Sequence, residues 1–157
     1  MRKRILDKQP EPATADSQAR WKDLAQIATV EVTSEDARFP IESVFTGGGP
    51  GWRAGQTGEQ QIRLIFDEPV SVRRIQLRFE EHAAERTQEF TLRWSAAQGG
   101  ASTEIVRQQW NFNPRGSTTE IEDYAVDLES ASVIELTIRP DISKGEAIAS
   151  LAAFLVE

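Results

Sequence analysis

Two clusters of side chains carry most of the chemistry this chain could perform. The first is Arg78, Glu80, Glu81 and His82, at the end of an alternating apolar stretch. Guanidinium and carboxylate groups make directional hydrogen bonds to vicinal hydroxyls. The second is Trp110, Asn111, Phe112, Asn113, Pro114 and Arg115, which mixes aromatic rings with amides and a guanidinium. That composition suits the rim of a ligand site, where a ring stacks on an apolar face and amides fix orientation. Each cluster also has a plainer reading. The first can be an exposed, charged hairpin end. The second can be a strand end, with Trp110 or Phe112 packed inward and Asn113-Pro114 turning the chain.

Other chemistries find less support. His82 is the only histidine and cysteine is absent, so the usual nitrogen and sulfur ligands of a metal site are missing. Nothing resembles a nucleophile elbow. The run from Gly47 to Gly51 is glycine-rich, but no Gly-Lys-Ser/Thr and no helix start follow it. It reads as a turn that admits Trp52 to the interior rather than as a phosphate loop. Glu120, Glu122, Asp123, Asp127 and Glu129 share one stretch, and paired carboxylates can do acid–base work. Their alternation with Ile121, Tyr124, Val126 and Leu128 points instead to a solvated strand face that discourages edge pairing.

The elements that must position these groups are strands. Period-2 alternation marks residues 29–33, 60–66, 72–79, 89–95, 120–128 and 133–139. Residues 103–112 alternate less regularly. Residues 148–156 are almost wholly apolar, as in a strand buried on both faces. Helical spacing is confined to one or two turns at residues 21–27 and one at residues 40–45, with Pro40 at its first position. Turn-rich loops fall at residues 47–51, 54–58, 81–87, 96–102, 113–118 and 140–146. This pattern predicts an antiparallel sandwich.

The chain of 157 residues fits one domain with a core of its own. Residues 1–20 are polar, lack periodicity and carry a net charge of +2, which leaves −9 on the remainder. They are expected to form a disordered or loosely attached tail, with a single domain over residues 21–157. An acidic body repels a phosphate backbone, so nucleic acid is not an expected partner. No apolar run approaches the roughly 18 residues that span a bilayer, so no membrane partner is expected either. No apolar segment follows the basic N-terminal residues as in a signal peptide, and a cytoplasmic location is expected.

One stretch carries a resemblance to a known family. Trp52 and Ala54 form a Trp-x-Ala element, followed by Gln61-Ile62, a Glu68-Pro69 turn, and Val72, Ile75, Leu77 and Phe79 in a Val-x-x-Ile-x-Leu-x-Phe strand. From Ala28 onward the chain resembles the galactose-binding-like (discoidin, or coagulation-factor C-type) β-sandwich superfamily. The run Trp52-Arg53-Ala54 with Gly58-Glu59 is also similar to the amino-terminal domain of the X-ray repair scaffold protein. The cysteine pair of secreted members is absent. The resemblance implies an all-β, antiparallel jelly-roll sandwich in which Trp52 and Ala54 are buried and Arg53 is not. It implies a binding module rather than an enzyme, with a carbohydrate as ligand at loops on one end. Arg78, Glu80, Glu81, His82, Trp110, Asn111, Asn113 and Arg115 are the expected ligand residues. No cofactor is expected, although many family members hold a structural calcium near the loop that here contains Ser34, Glu35 and Asp36. The alternative is an intracellular protein–protein scaffold, which predicts an exposed apolar patch on a sheet face.

Overall fold

The structure is a computed structural model in which residues 20–157 are described. The tail expected over residues 1–20 therefore lies, apart from Arg20, outside the described residues. One turn of helix, α1 (Leu24–Ile27), leads into β1 (Ala28–Val32). A 3-10 helix follows at Ile41–Phe45, with Pro40 capping it rather than opening it. The remaining strands are β2 (Trp52–Arg53), β3 (Gln60–Glu80), β4 (Arg86–Ser95), β5 (Thr103–Phe112), β6 (Thr119–Arg139), β7 (Ser150–Leu151) and β8 (Ala153–Val156).

Two expected pairs of strands are each a single bent strand. Residues 60–66 and 72–79 belong to β3, and residues 120–128 and 133–139 belong to β6. β3 and β6 run antiparallel along their length, and the register jumps between Ile65, Val70, Val72 and Arg74. Bulges of this kind bend a strand without ending it. Pro69 falls in the bend, where no ladder bond needs its missing N–H. The reverse correction applies to residues 148–156, which divide into β7 and β8.

The bend makes two layers from one ribbon. The first half of β3 lies between β1 and the second half of β6, which continues to β4 and β5. The second half of β3 lies between β8 and the first half of β6. A five-stranded layer thus faces a three-stranded one. Ile62, Leu64, Phe90, Leu92, Leu136 and Ile138 point inward from the first, and Ile75, Leu77, Phe79, Phe154 and Val156 from the second. The rings of Phe79 and Phe90 meet across the gap, 5.3 Å between centroids. Each such side chain contributes about 1.5–3 kcal/mol by leaving water.

Trp52 and Ala54 are buried, and Arg53 is exposed over the ring of Phe39. The indole Nε1 of Trp52 donates to the Ser34 carbonyl at 3.1 Å, so its one polar atom is satisfied inside. Gly51 makes this entry feasible. Its φ is +88°, and a Cβ there would stand 2.9 Å from the Leu151 carbonyl oxygen. The glycine-rich run is a turn into β2.

Candidate functional site

Both predicted clusters map to one end of the sandwich. The loop 81–85 crosses from β3 in the three-stranded layer to β4 in the five-stranded layer. The loop 113–118 crosses back from β5 to β6 beside it, and the Glu81 N–H donates to the Thr118 carbonyl at 2.9 Å. The loop 140–149 closes the same end, where the Ile142 N–H donates to the Thr87 carbonyl at 2.8 Å.

Within this end the eight predicted residues divide by role. Arg78 and Glu80 alternate with inward Leu77 and Phe79, so they lie on the outer face of the three-stranded layer. Glu80 takes the Arg78 guanidinium at 3.2 Å and the His82 imidazole at 3.5 Å, and His82 is exposed beyond the strand end. Asn111 lies on the opposite, outer face of the five-stranded layer. Its Oδ1 accepts from the Thr87 hydroxyl at 2.8 Å. The Asn113 Oδ1 accepts from the Arg115 N–H at 2.9 Å, which fixes the turn and leaves Arg115 exposed at its tip.

The other two residues face inward. Trp110 is half-buried against the core, and its Nε1 is buried without a partner. It pairs in register with Gln88, whose side chain is interior. Glu81 is a loop fastener. Its Oε1 accepts from Arg86 Nε at 2.7 Å, and its Oε2 accepts from the Ala83 and Ala84 N–H groups at 3.0 and 3.3 Å. Burial pushes the Glu81 pKa up, but Arg86 and those amides outweigh it and hold the group below the ordinary value.

Arg86 anchors a buried polar chain that no motif in the sequence marks. Its Nη1 donates to the Pro140 carbonyl at 2.7 Å and to Gln88 Oε1 at 3.1 Å, and its guanidinium covers the Phe112 ring. Gln88 Nε2 donates in turn to Glu120 Oε1 at 3.3 Å. Glu120 is 0% exposed, with Oε2 unpartnered. Its pKa is pushed up to about 9, first by burial and then by the neighbouring Glu122 carboxylate. This corrects the expectation of a solvated acidic face in part: Asp123, Asp127 and Glu129 are exposed, but Glu120 points inward, and Ile121 points out at 60% exposure. The signal was present in the parity of the strand. Glu120 and Glu122 share the even positions of Tyr124, Val126 and Leu128, which face the core.

The loops also enclose a recess of about 240 Å³ between residues 58–59 and 139–145, lined by Glu59, Arg139, Asp141, Ser143 and Lys144 among others. None of the eight predicted residues lines it. The only sequence signal was a polar, glycine-containing loop at residues 140–146.

The carboxylates suggested for calcium are engaged elsewhere. Asp36 pairs with Arg38 at 2.8 Å, and Glu35 Oε1 accepts from the Ile41 N–H at 2.8 Å. Among the described residues no group of three or more His, Cys, Asp or Glu is placed to hold a metal ion.

No protein-family model matches the chain, and no curated protein matches it. Solved structures do. The family 32 carbohydrate-binding module of C. perfringens NanJ, in complex with galactose, superposes with a TM-score of 0.64 at 15% identity, over 87% of this chain and 96% of that one. Chitosan-binding module 1 of a chitosanase/glucanase from Paenibacillus sp. IK-5 gives 0.61 at 20% identity, over 87% and 98%. A Ruminococcus gnavus family 29 fucosidase in complex with fucose gives 0.68 at 12% identity, over 96% of this chain and 29% of the enzyme. At these identities the likeness is one of fold. The chain shares the antiparallel β-sandwich fold of these carbohydrate-binding modules.

Proposed function

We propose that this chain is a non-catalytic carbohydrate-binding module whose ligand sits at the loop end of the sandwich. The observation that carries the reading is the fold. It is shared over nearly the whole chain with modules described in complex with galactose, 4,5-unsaturated mannuronic acid and GalNAc. Those sugars differ, so the fold supports the ligand class and not one sugar. The chemistry of the end agrees with that class. His82, Arg78 and Glu80 on one side, Arg115 at the tip, and Glu59, Asp141 and Lys144 around the recess present donors and acceptors to hydroxyls. Glu81 and Trp110 support the loops from beneath. The scaffold alternative draws less support, because Ile121 is the one large apolar side chain exposed among the described residues.

A glycan array probed with the full chain, with and without calcium, tests the reading. Arg78→Ala and Arg115→Ala are each expected to weaken binding about tenfold or more, the usual effect of losing a hydrogen bond from a charged group. Calcium is expected to make no difference. An array with no bound glycan under either condition refutes the proposal.

A further inference from the structure

The outer face of the five-stranded layer is arranged in rows that the strand register sets. One row reads Glu31, Arg63, Glu135, Arg93, Glu104 across all five strands, with the sign of charge alternating at each step. Arg63 pairs with Glu31 at 3.2 Å and Glu135 at 3.4 Å, and Arg93 pairs with Glu104 at 3.6 Å. The next row is Gln61, Thr137, Thr91, Arg107. The row beyond it holds Arg139, Glu89 and Gln109.

Short threonines between two rows of long charged side chains leave a trough. Its volume is about 530 Å³, with Thr91 and Thr137 as floor and Arg93, Glu135, Glu89 and Arg139 as walls. Arg107 closes one end by reaching Glu104 at 3.1 Å on one side and Glu89 at 3.5 Å on the other. At the opposite end Glu59 and Arg139 line both the trough and the recess at the loops. From Gln61 to Arg107 the trough crosses four strands, or about 14 Å.

The walls are pre-set. Glu89 points outward yet is only 9% exposed, because Arg107, Arg139 and Gln109 converge on its two oxygens at 3.5, 3.5 and 3.1 Å. Each guanidinium carries five N–H donors, so these contacts leave donors to spare along the trough. Three arginines and three glutamates line it, so its formal charge is zero. A polyanion gains nothing there and is repelled by a chain of net charge −7. A ligand that donates and accepts at closely spaced points, with no charge of its own, complements both walls.

We propose that this trough is a second binding surface, which takes an extended, neutral oligosaccharide across the strands. It rests on the carbohydrate-binding reading but not on the loop-end site, and the two are separable. The loop end engages a terminal sugar or short unit, and the trough engages the chain that continues from it.

The test is an NMR titration of the ¹⁵N-labelled full chain with cellohexaose, xylohexaose and mannohexaose, with the matching monosaccharides and hexagalacturonate for comparison. At least one neutral hexaose is expected to shift the Gln61, Thr91 and Thr137 amides and to bind about tenfold or more tighter than its monosaccharide. Thr137→Lys, which fills the floor, and Arg93→Ala, which opens a wall, are each expected to remove that length dependence. Thermal unfolding of both variants guards against a folding defect. In Arg78→Ala the shifts at Thr91 and Thr137 are expected to persist, so a failed loop-end site does not mimic a failed trough. The proposal is overturned if no neutral hexaose shifts those amides, if only hexagalacturonate does, or if folded Thr137→Lys binds the hexaose like the wild type.

Discussion

Substituting Glu120 by Gln is expected to stabilise this protein at neutral and alkaline pH. Glu120 lies at 0% exposure, accepts one hydrogen bond from Gln88 and has a pKa of about 9 against an ordinary 4.5. The charged groups that act on it are Glu122, which favours the protonated form, and Arg86, which opposes it. A carboxyl whose folded pKa is raised contributes most below its unfolded value. That contribution is lost as pH rises from 4.5 towards 9, because unfolding releases a proton that the native state retains. At about 1.4 kcal/mol per pH unit, the loss reaches about 3 kcal/mol at pH 7 and roughly 4 kcal/mol between pH 5 and pH 8. Gln keeps the acceptor for Gln88 and stays neutral at every pH, so it imitates the protonated acid without titrating. Urea unfolding followed by tryptophan fluorescence should show the wild type losing stability from pH 5 to pH 8. The variant should be nearly flat over that interval, and the two should converge near pH 5. Parallel profiles, with the same slope in both proteins, would refute the assignment of a buried, protonated Glu120.

Two further perturbations test the framework around the site. Arg86→Ala removes the partner of Glu81, the cover of Phe112 and a donor to the Pro140 carbonyl. It is expected to cost roughly 3–5 kcal/mol in chemical denaturation and to speed amide hydrogen exchange at Ala83 and Ala84. Gly51→Ala forces a Cβ to 2.9 Å from the Leu151 carbonyl oxygen at a φ of +88°. A loss of about 1–3 kcal/mol is expected, seen as a lower thermal midpoint; an unchanged midpoint would show that the turn into β2 can rearrange.

Much of the fold could be read locally. Alternation at Ile62, Leu64 and Phe66, and again at Ile75, Leu77 and Phe79, marks an inward face whatever the strand pairs with, because side chains repeat every two residues. Trp52, Ala54 and the glycines before them identified the turn that carries an indole inside. The bends in β3 and β6 were not legible as continuations. Glu68-Pro69 has turn composition, and only the bulged pairing with β6 makes it a corner between layers. Glu120 was misplaced because its type outweighed its parity, although the even positions of its own strand already pointed inward.

The candidate site divides along the same line. The amino-acid sequence by itself determined which segments are strands, which of their faces are apolar, and that polar loops cap one end, since these depend on neighbours along the chain. Only the tertiary structure decided that Arg78 and Asn111 lie on opposite faces, that Glu81 is spent on Arg86, and that Trp110 turns inward. The rows of the trough belong there too. Arg63, Arg93 and Arg107 are far apart in sequence and become neighbours only when β3, β4, β5 and β6 set their register. Register is a relation between strands, and no single strand contains it.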